Sequence, residues 1–364
     1  MQPPRPPPLL SPETPLLEFH RPTPSSSAST AASTSSPTSP PSSSPTSSPP
    51  PTRPRRRRAL LVLAAQHGDE PCGVLAVNRL ISENGASWPF HDERCAFDAV
   101  VVALGNPRAF LAKTRQVEEN LNRCFPSEKS LEELVQDDST HERRRAGELA
   151  KLLSAADAVL DIHSASAASP AFSMFPPSSS SSASLARALG GDGGIPFALK
   201  DFTGEGLGLA IEWAAAKGNK RGEGGGGTTA AVTVEAGQHS SSSSVDASVA
   251  AIEAALSWKG GEERTEATPK VLVVRRGEVV RKGFRWRTAN GEQTPPAAFT
   301  RFEFDQLVAS DEEKGELRCG VRGGALIVLP AAKPVEGEDA FLWGEEEEEE
   351  EKGMKAAEEV EKNL

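Results

Sequence analysis

Ala59-Leu60-Leu61-Val62-Leu63-Ala64-Ala65-Gln66-His67-Gly68-Asp69-Glu70 decides the fold. Seven apolar residues run without a break and end on a cluster of polar, titratable ones. An unbroken apolar run of this length reads as a strand covered on both faces. Ligand sites of open α/β sheets gather beyond the carboxyl ends of such strands, which is where His67 and Glu70 fall. The arrangement recurs about ninety residues on, where Ala158-Val159-Leu160 leads into Asp161-Ile162-His163. Two imidazoles and a carboxylate at the ends of neighbouring strands can supply three ligands of a catalytic zinc and leave one position open. His-x-x-Glu alone carries little weight, since about one chance match is expected in a chain with six histidines. A lone His after a buried strand is commonly hydrogen-bonded to its surroundings and nothing more. The shared position at strand ends is what gives the pair meaning.

Around these two segments the pattern alternates. Residues 99–104, 159–162 and 231–234 read as further buried strands. Residues 73–82 and 141–153 read as helices, the second with Ala146, Leu149, Leu152 and Leu153 on one face. The expectation is an α/β fold, a mostly parallel central sheet flanked by helices, over residues 59–260. Ser178–Ser182, Gly222–Gly227 and Ser240–Ser244 look like insertions in surface loops, where added length costs little closure entropy. From about residue 268 the alternation has period two and no long helical stretch, so 268–344 reads as a small, mostly-β C-terminal domain.

The ends differ from this core. Residues 1–58 are Pro-, Ser- and Thr-rich, close on an Arg run, and are expected to be disordered. Residues 345–364 form an acidic tail. The two ends carry +5 and −7, which leaves −9 on residues 59–344 of a chain whose total is −11. An acidic core does not suit nucleic acid, because phosphate attraction needs clustered Lys and Arg. The Arg run reads as a short solvated linker. Four widely spaced cysteines without a CxxC pair fit a reducing compartment rather than a disulfide framework. No run is apolar and long enough to span a bilayer. The N-terminus lacks the hydrophobic stretch of a secretory signal, so a cytoplasmic location is expected, with organelle targeting by the Ser-rich segment left open.

Polar residues cluster after two more strands: Asn106-Pro107, Arg115 and Asn122-Arg123 after the second, and Glu235-Ala236-Gly237 after the fourth. A carboxylate there can act as general base, and arginines can hold an anion. Taken in order, His67-Gly68-Asp69-Glu70, Asn106-Pro107, Arg115, Asn122-Arg123, Asp161-Ile162-His163 and Thr233-Val234-Glu235-Ala236-Gly237 resemble the succinylglutamate desuccinylase/aspartoacylase family, part of the zinc carboxypeptidase-like hydrolases. The resemblance covers about residues 59–240, and the later β module looks like the family's C-terminal domain.

That resemblance implies one Zn2+ per chain on His67, Glu70 and His163. It implies Glu235 as the base and Arg115 as the group that stabilises the oxyanion. Asn122 and Arg123 would bind a substrate carboxylate, and Asp161, two residues before His163, reads equally as its supporting partner or as a plain structural hydrogen bond. The activity implied is cleavage of the acyl group from a small anionic N-acyl amino acid. Departures bear on substrate choice: Asn120 stands where the family usually has Asp, Gln116 where many members have Tyr, and Asp69 where Asn is more frequent. The chain has no Tyr at all. A carboxypeptidase-like peptidase and a catalytically silent binding protein of the same fold are the alternatives. The acyl group, the amino acid and the oligomeric state are not legible.

Overall fold

The computed structural model describes residues 8–22, 57–191, 194–200, 209–217, 229–261, 269–287, 294–337 and 339–346. Eight strands build the central sheet: β1 (Leu16–His20), β2 (Ala59–Ala64), β3 (Ala99–Leu104), β4 (Ala158–Ala165), β5 (Phe172–Met174), β6 (Phe197–Lys200), β7 (Ala230–Gln238) and β8 (Lys270–Val279). Between them lie α1 (Cys72–Asn84), α2 (Pro107–Ala112), α3 (Leu131–Gln136), α4 (His141–Ala155), α5 (Ser180–Gly191), α6 (Ala210–Lys217) and α7 (Ser242–Ser257). The strand order is β1-β3-β2-β4-β7-β5-β6-β8. Five of these seven pairings are parallel; β1 with β3 and β5 with β7 are antiparallel.

Alternation along each strand explains why the apolar runs are unbroken. In β2, Leu60, Val62 and Ala64 pack towards α1, α5 and α7, with Val77, Leu189 and Ile252 among their partners in that core. Leu61 and Leu63 point the other way, into a second core with Leu149 and Leu153 of α4 and Trp213 of α6. Side chains at period two reach opposite faces, so a sheet sandwiched between helix layers needs apolar residues at every position. At about 2 kcal/mol or more per fully buried Leu, this platform is rigid enough to aim the groups at its strand ends.

The remaining strands are β9 (Arg285–Trp286), β10 (Arg301–Phe302), β11 (Leu307–Asp311), β12 (Gly315–Arg318), β13 (Ala325–Val328) and β14 (Asp339–Glu346). β14, β13 and β10 continue the central sheet beyond β8, giving eleven strands in all, while β12, β11 and β9 form a small second sheet. The C-terminal strands are therefore joined to the main sheet through the β6–β8 pairing. A shared apolar cluster of Phe172, Leu199, Leu272, Leu326 and Val328 seals that joint.

Three expectations about the chain's margins are corrected. Residues 8–22 are part of the folded body: Leu10 and Leu17 are buried, and β1 pairs with β3 along its whole length. The short alternation Leu16-Leu17-Glu18-Phe19 was hidden by the Pro/Ser composition around it. Arg58 is likewise docked and not merely solvated; its guanidinium lies over the rings of Phe97 and Trp258, at 4.6 and 5.3 Å from their centroids. Asp98 receives both sides of the N-terminal region, accepting from the Arg21 backbone N–H and donating to the Arg58 carbonyl. At the other end, Glu345 and Glu346 pair with Val273 and Leu272 as the last residues of β14. The rest of the acidic tail, and residues 1–7 and 23–56, lie outside the described residues.

The two serine runs are helix starts rather than loop insertions. Ser241 caps α7 by accepting from the Ser243 N–H, and Ser244 is fully buried with its hydroxyl on the Gln238 carbonyl. Ser182, in the first turn of α5, is buried and accepts from the Ala231 N–H of β7. A serine hydroxyl can satisfy backbone groups at a helix start, so a run of serines suits this position. The Gly222–Gly227 run lies outside the described residues. Among the described residues, no helix is long and apolar enough to cross a membrane.

Candidate active site

β2 and β4 are parallel neighbours, and their carboxyl ends bring His67 and Glu70 beside His163. The turn after β2 is tightly seated: a Cβ on Gly68 would lie 2.1 Å from the Ala109 backbone, and its N–H donates to the Arg115 carbonyl. Among the described residues, His67, Glu70 and His163 offer ligand atoms that all lie within 4.8 Å of one another. All three are buried, at 5%, 2% and 2% exposure. Glu70 sits between the rings, with Oε1 2.8 Å from His67 Nδ1 and Oε2 3.0 Å from His163 Nδ1.

The far nitrogen of each ring is engaged elsewhere. His67 Nε2 lies 3.0 Å from Asn120 Oδ1, and His163 Nε2 lies 3.0 Å from Asp161 Oδ2. Asp161 is fully buried and also accepts from the Gln66 side chain at 2.6 Å. Acceptors at both Nε2 atoms fix the rings and turn both Nδ1 atoms towards Glu70. Burial holds His67 below its ordinary value, partly offset by Glu70. His163 is raised well above its own despite burial, because Asp161 and Glu70 flank it. Burial opposes ionisation of Glu70, yet the two rings hold its carboxyl well below the usual range. Two imidazoles facing one buried carboxylate are a donor set that fits a divalent cation, zinc in particular.

Glu235 stands on β7 directly across from His163. It is 8% exposed, and its Oε2 is buried with no hydrogen-bond partner among the described residues. Burial, reinforced by the nearby negative charge of Glu70, pushes its carboxyl up to about 8. A buried carboxyl poised near neutrality beside a cation site can take and return a proton.

Arg115 reaches the cluster from the loop after α2, with Nη1 3.4 Å from Glu70 Oε1 and a half-exposed side chain. Asn122 is placed differently from a free ligand-binding amide: its Oδ1 accepts from the Ala210 N–H at the start of α6. Arg123 donates to the Asn122 carbonyl, and its Nη2 comes within 3.9 Å of Asp339 Oδ2 on β14. The cluster thus gathers His67, Glu70, His163, Glu235 and Arg115. Asn122 and Arg123 stand on a neighbouring 3-10 turn at Leu121–Arg123, beside the C-terminal strands. Sequence reading noted Asn120 only as a departure and passed over Gln66. Their signal was adjacency, Gln66 beside His67 and Asn120 beside Asn122-Arg123.

Residues 56–250 match the succinylglutamate desuccinylase/aspartoacylase catalytic domain. A probable aspartoacylase from Nostoc sp. is 33% identical over 111 residues, which is 29% of this chain and 35% of that protein. The alignment thus spans about a third of that relative's length. Among solved structures, succinylglutamate desuccinylase from Vibrio parahaemolyticus superposes with a TM-score of 0.58 at 20% identity, covering 80% of this chain and 82% of the other. The product-bound ectoine utilization protein EutE from Ruegeria pomeroyi gives 0.57 at 19% identity, covering 79% and 85%. Murine aminoacylase 3 gives 0.52 at 18% identity, covering 80% and 95%. At these identities the structural likeness is one of fold.

Proposed function

The chain belongs to the succinylglutamate desuccinylase/aspartoacylase family, and on that footing we propose that it is a zinc-dependent amidohydrolase releasing the acyl group of a small anionic N-acyl amino acid. The observation that carries this reading is the buried His67-Glu70-His163 cluster with Glu235 on the adjoining strand, its Oε2 without a hydrogen-bond partner among the described residues. Zinc held by His67 Nδ1, Glu70 and His163 Nδ1 would supply a Lewis acid that makes water a nucleophile near neutral pH and polarises an amide carbonyl.

The chain's own residues then have distinct tasks. Glu235 accepts the proton of the attacking water and hands it to the departing amine, a role suited to a buried carboxyl that titrates near neutrality. Arg115, half-exposed beside Glu70, meets the negative charge that develops on the carbonyl oxygen. Arg123 offers a two-pronged fit to a substrate carboxylate, with Asn122 fixing it through the backbone. Local placement of two arginines outweighs the acidic balance of the chain in selecting an anion. Asp339 near Arg123 brings the C-terminal strands to the mouth of the site, which favours a small substrate over a peptide chain. We assign residues 59–260 to the hydrolase domain and 268–344 to a β module that narrows its entrance. The four cysteines are free and buried, in keeping with a cytoplasmic setting.

The test is metal content read together with hydrolysis of an N-acyl amino acid panel that includes acetylaspartate and succinylglutamate. About one zinc per chain and chelator-sensitive release of one amino acid support the reading. Protein that holds no zinc under conditions where a known family member retains it refutes it.

A further inference from the structure

We propose that Glu142, which takes no part in the chemistry above, is the positioning residue that sets the Arg115–Asn120 loop against the metal-ligating cluster; the inference rests on the hydrolase reading. Glu142 is the second residue of α4 and is fully buried. Its Oε1 accepts from the Val117 N–H at 2.7 Å and from the Asn106 side-chain amide at 2.9 Å. Its Oε2 accepts from the N–H groups of Glu118 and Glu119 at 3.1 and 3.3 Å. Three successive backbone N–H groups converging in this way ordinarily make a binding site for an outside anion. Here the chain fills that site with its own carboxylate.

The loop has little else to fix it from within. Residues 111–115 and Glu118 are exposed and Val117 is only partly covered, so little apolar burial holds this stretch against the body. Its two ends nevertheless carry groups that must be well placed. Arg115 pairs with Glu70, and its carbonyl accepts from the Gly68 N–H in the ligand turn. Asn120 holds Nε2 of His67. Between them, the first turn of α4 grips the loop a second time. The Arg143 guanidinium makes a paired contact with Glu119 at 2.8 and 3.0 Å, and the His141 N–H donates to Glu118. Burial opposes ionisation of Glu142, yet its donors keep the carboxyl below the usual range. Only a carboxylate satisfies these N–H groups, because it accepts at both oxygens. An amide would accept at one oxygen and turn its own N–H2 towards the remaining donors, leaving buried groups unpaired.

Glu142→Gln and Glu142→Asp in the full chain test this, with three readouts. Backbone amide exchange at Val117–Glu119 reports the loop. Zinc affinity by chelator competition reports His67, and separate kcat and KM values on the substrate found in the panel report Arg115. For Glu142→Gln we expect exchange at 117–119 faster by at least about tenfold. Zinc binding should weaken about tenfold, and kcat should fall roughly tenfold to a hundredfold with a smaller change in KM. Glu142→Asp keeps both acceptors at shorter reach and should fall between the two; it carries the same test if the Gln variant does not fold. Faster exchange with zinc affinity and kcat both within about twofold of wild type would overturn the proposal, leaving a merely structural anchor. Wild-type protein that binds no zinc would refute the hydrolase reading instead. The positioning role is then judged by whether Glu142→Gln moves the His67 ring resonances, and their staying in place would overturn it.

Discussion

Exchanging Glu235 for Gln should make the metal-free protein more stable while removing turnover. The carboxyl of Glu235 is pushed from about 4.5 to about 8, first by burial and then by Glu70. Between those values the native state keeps a proton that the unfolded chain has released. Stability from this group is therefore intact at and below about pH 4.5 and drains away as pH rises towards 8. The slope is about 1.4 kcal/mol per pH unit, so the loss reaches roughly 3 kcal/mol at pH 7. Gln has nearly the same shape and no proton to exchange, so it escapes that loss. The assay is urea unfolding of chelator-stripped protein, wild type and Glu235→Gln, from pH 5 to 8.5. The two should be close in stability near pH 5, and the variant should lead by roughly 3 kcal/mol at pH 7. Adding zinc should shrink the gap if it binds as proposed, since a nearby dication favours the charged carboxylate. Stability curves that run parallel across the whole pH range would refute the assignment of a buried, proton-holding Glu235.

Other outcomes follow from the same geometry. His163→Ala removes one of the three proposed ligands and leaves Asp161 and Glu70 without their shared partner. Zinc affinity should fall by at least about a hundredfold, read by chelator competition, and turnover should fall with it. Asn120→Asp puts a carboxylate where an amide now meets His67 Nε2, which makes the ring a stronger donor. Zinc should be held up to about tenfold more tightly, and unchanged affinity would show that Asn120 does not act through that ring.

Much of this was legible in the sequence because the central strands are simple. Strands with helices on both faces must be apolar at every position, so 59–64, 99–104 and 231–234 stood out without any contact information. Their ends then located His67, Glu70, His163 and Glu235, since a parallel sheet lines up the ends of its strands. What escaped notice depends on partners far along the chain. Leu10 is buried because Asn78 clasps its backbone N–H and carbonyl, and nothing near Leu10 announces this. Glu142 looked like one more charge in an amphipathic helix; its meaning lies in three N–H groups about twenty-five residues earlier. The two serine runs read as loop insertions because low complexity masks the capping chemistry of the residue, which is what places them at the starts of α5 and α7.

The double grip of Asp98 on Arg21 and Arg58 has a consequence for how this polypeptide survives cutting. Asp98 holds the backbone of Arg21 on one side and of Arg58 on the other, so the segments 8–22 and 57–191 are tied together at one residue. A single cut between residues 22 and 57 should leave a two-piece protein in which β1 stays in place through its ladder to β3 and the clasp on Leu10. The pieces should separate in denaturing electrophoresis and travel together in native size-exclusion chromatography. A chain shortened to start at Ala59 fares worse, because it bares the outer edge of β3, and an open edge invites pairing with a second molecule.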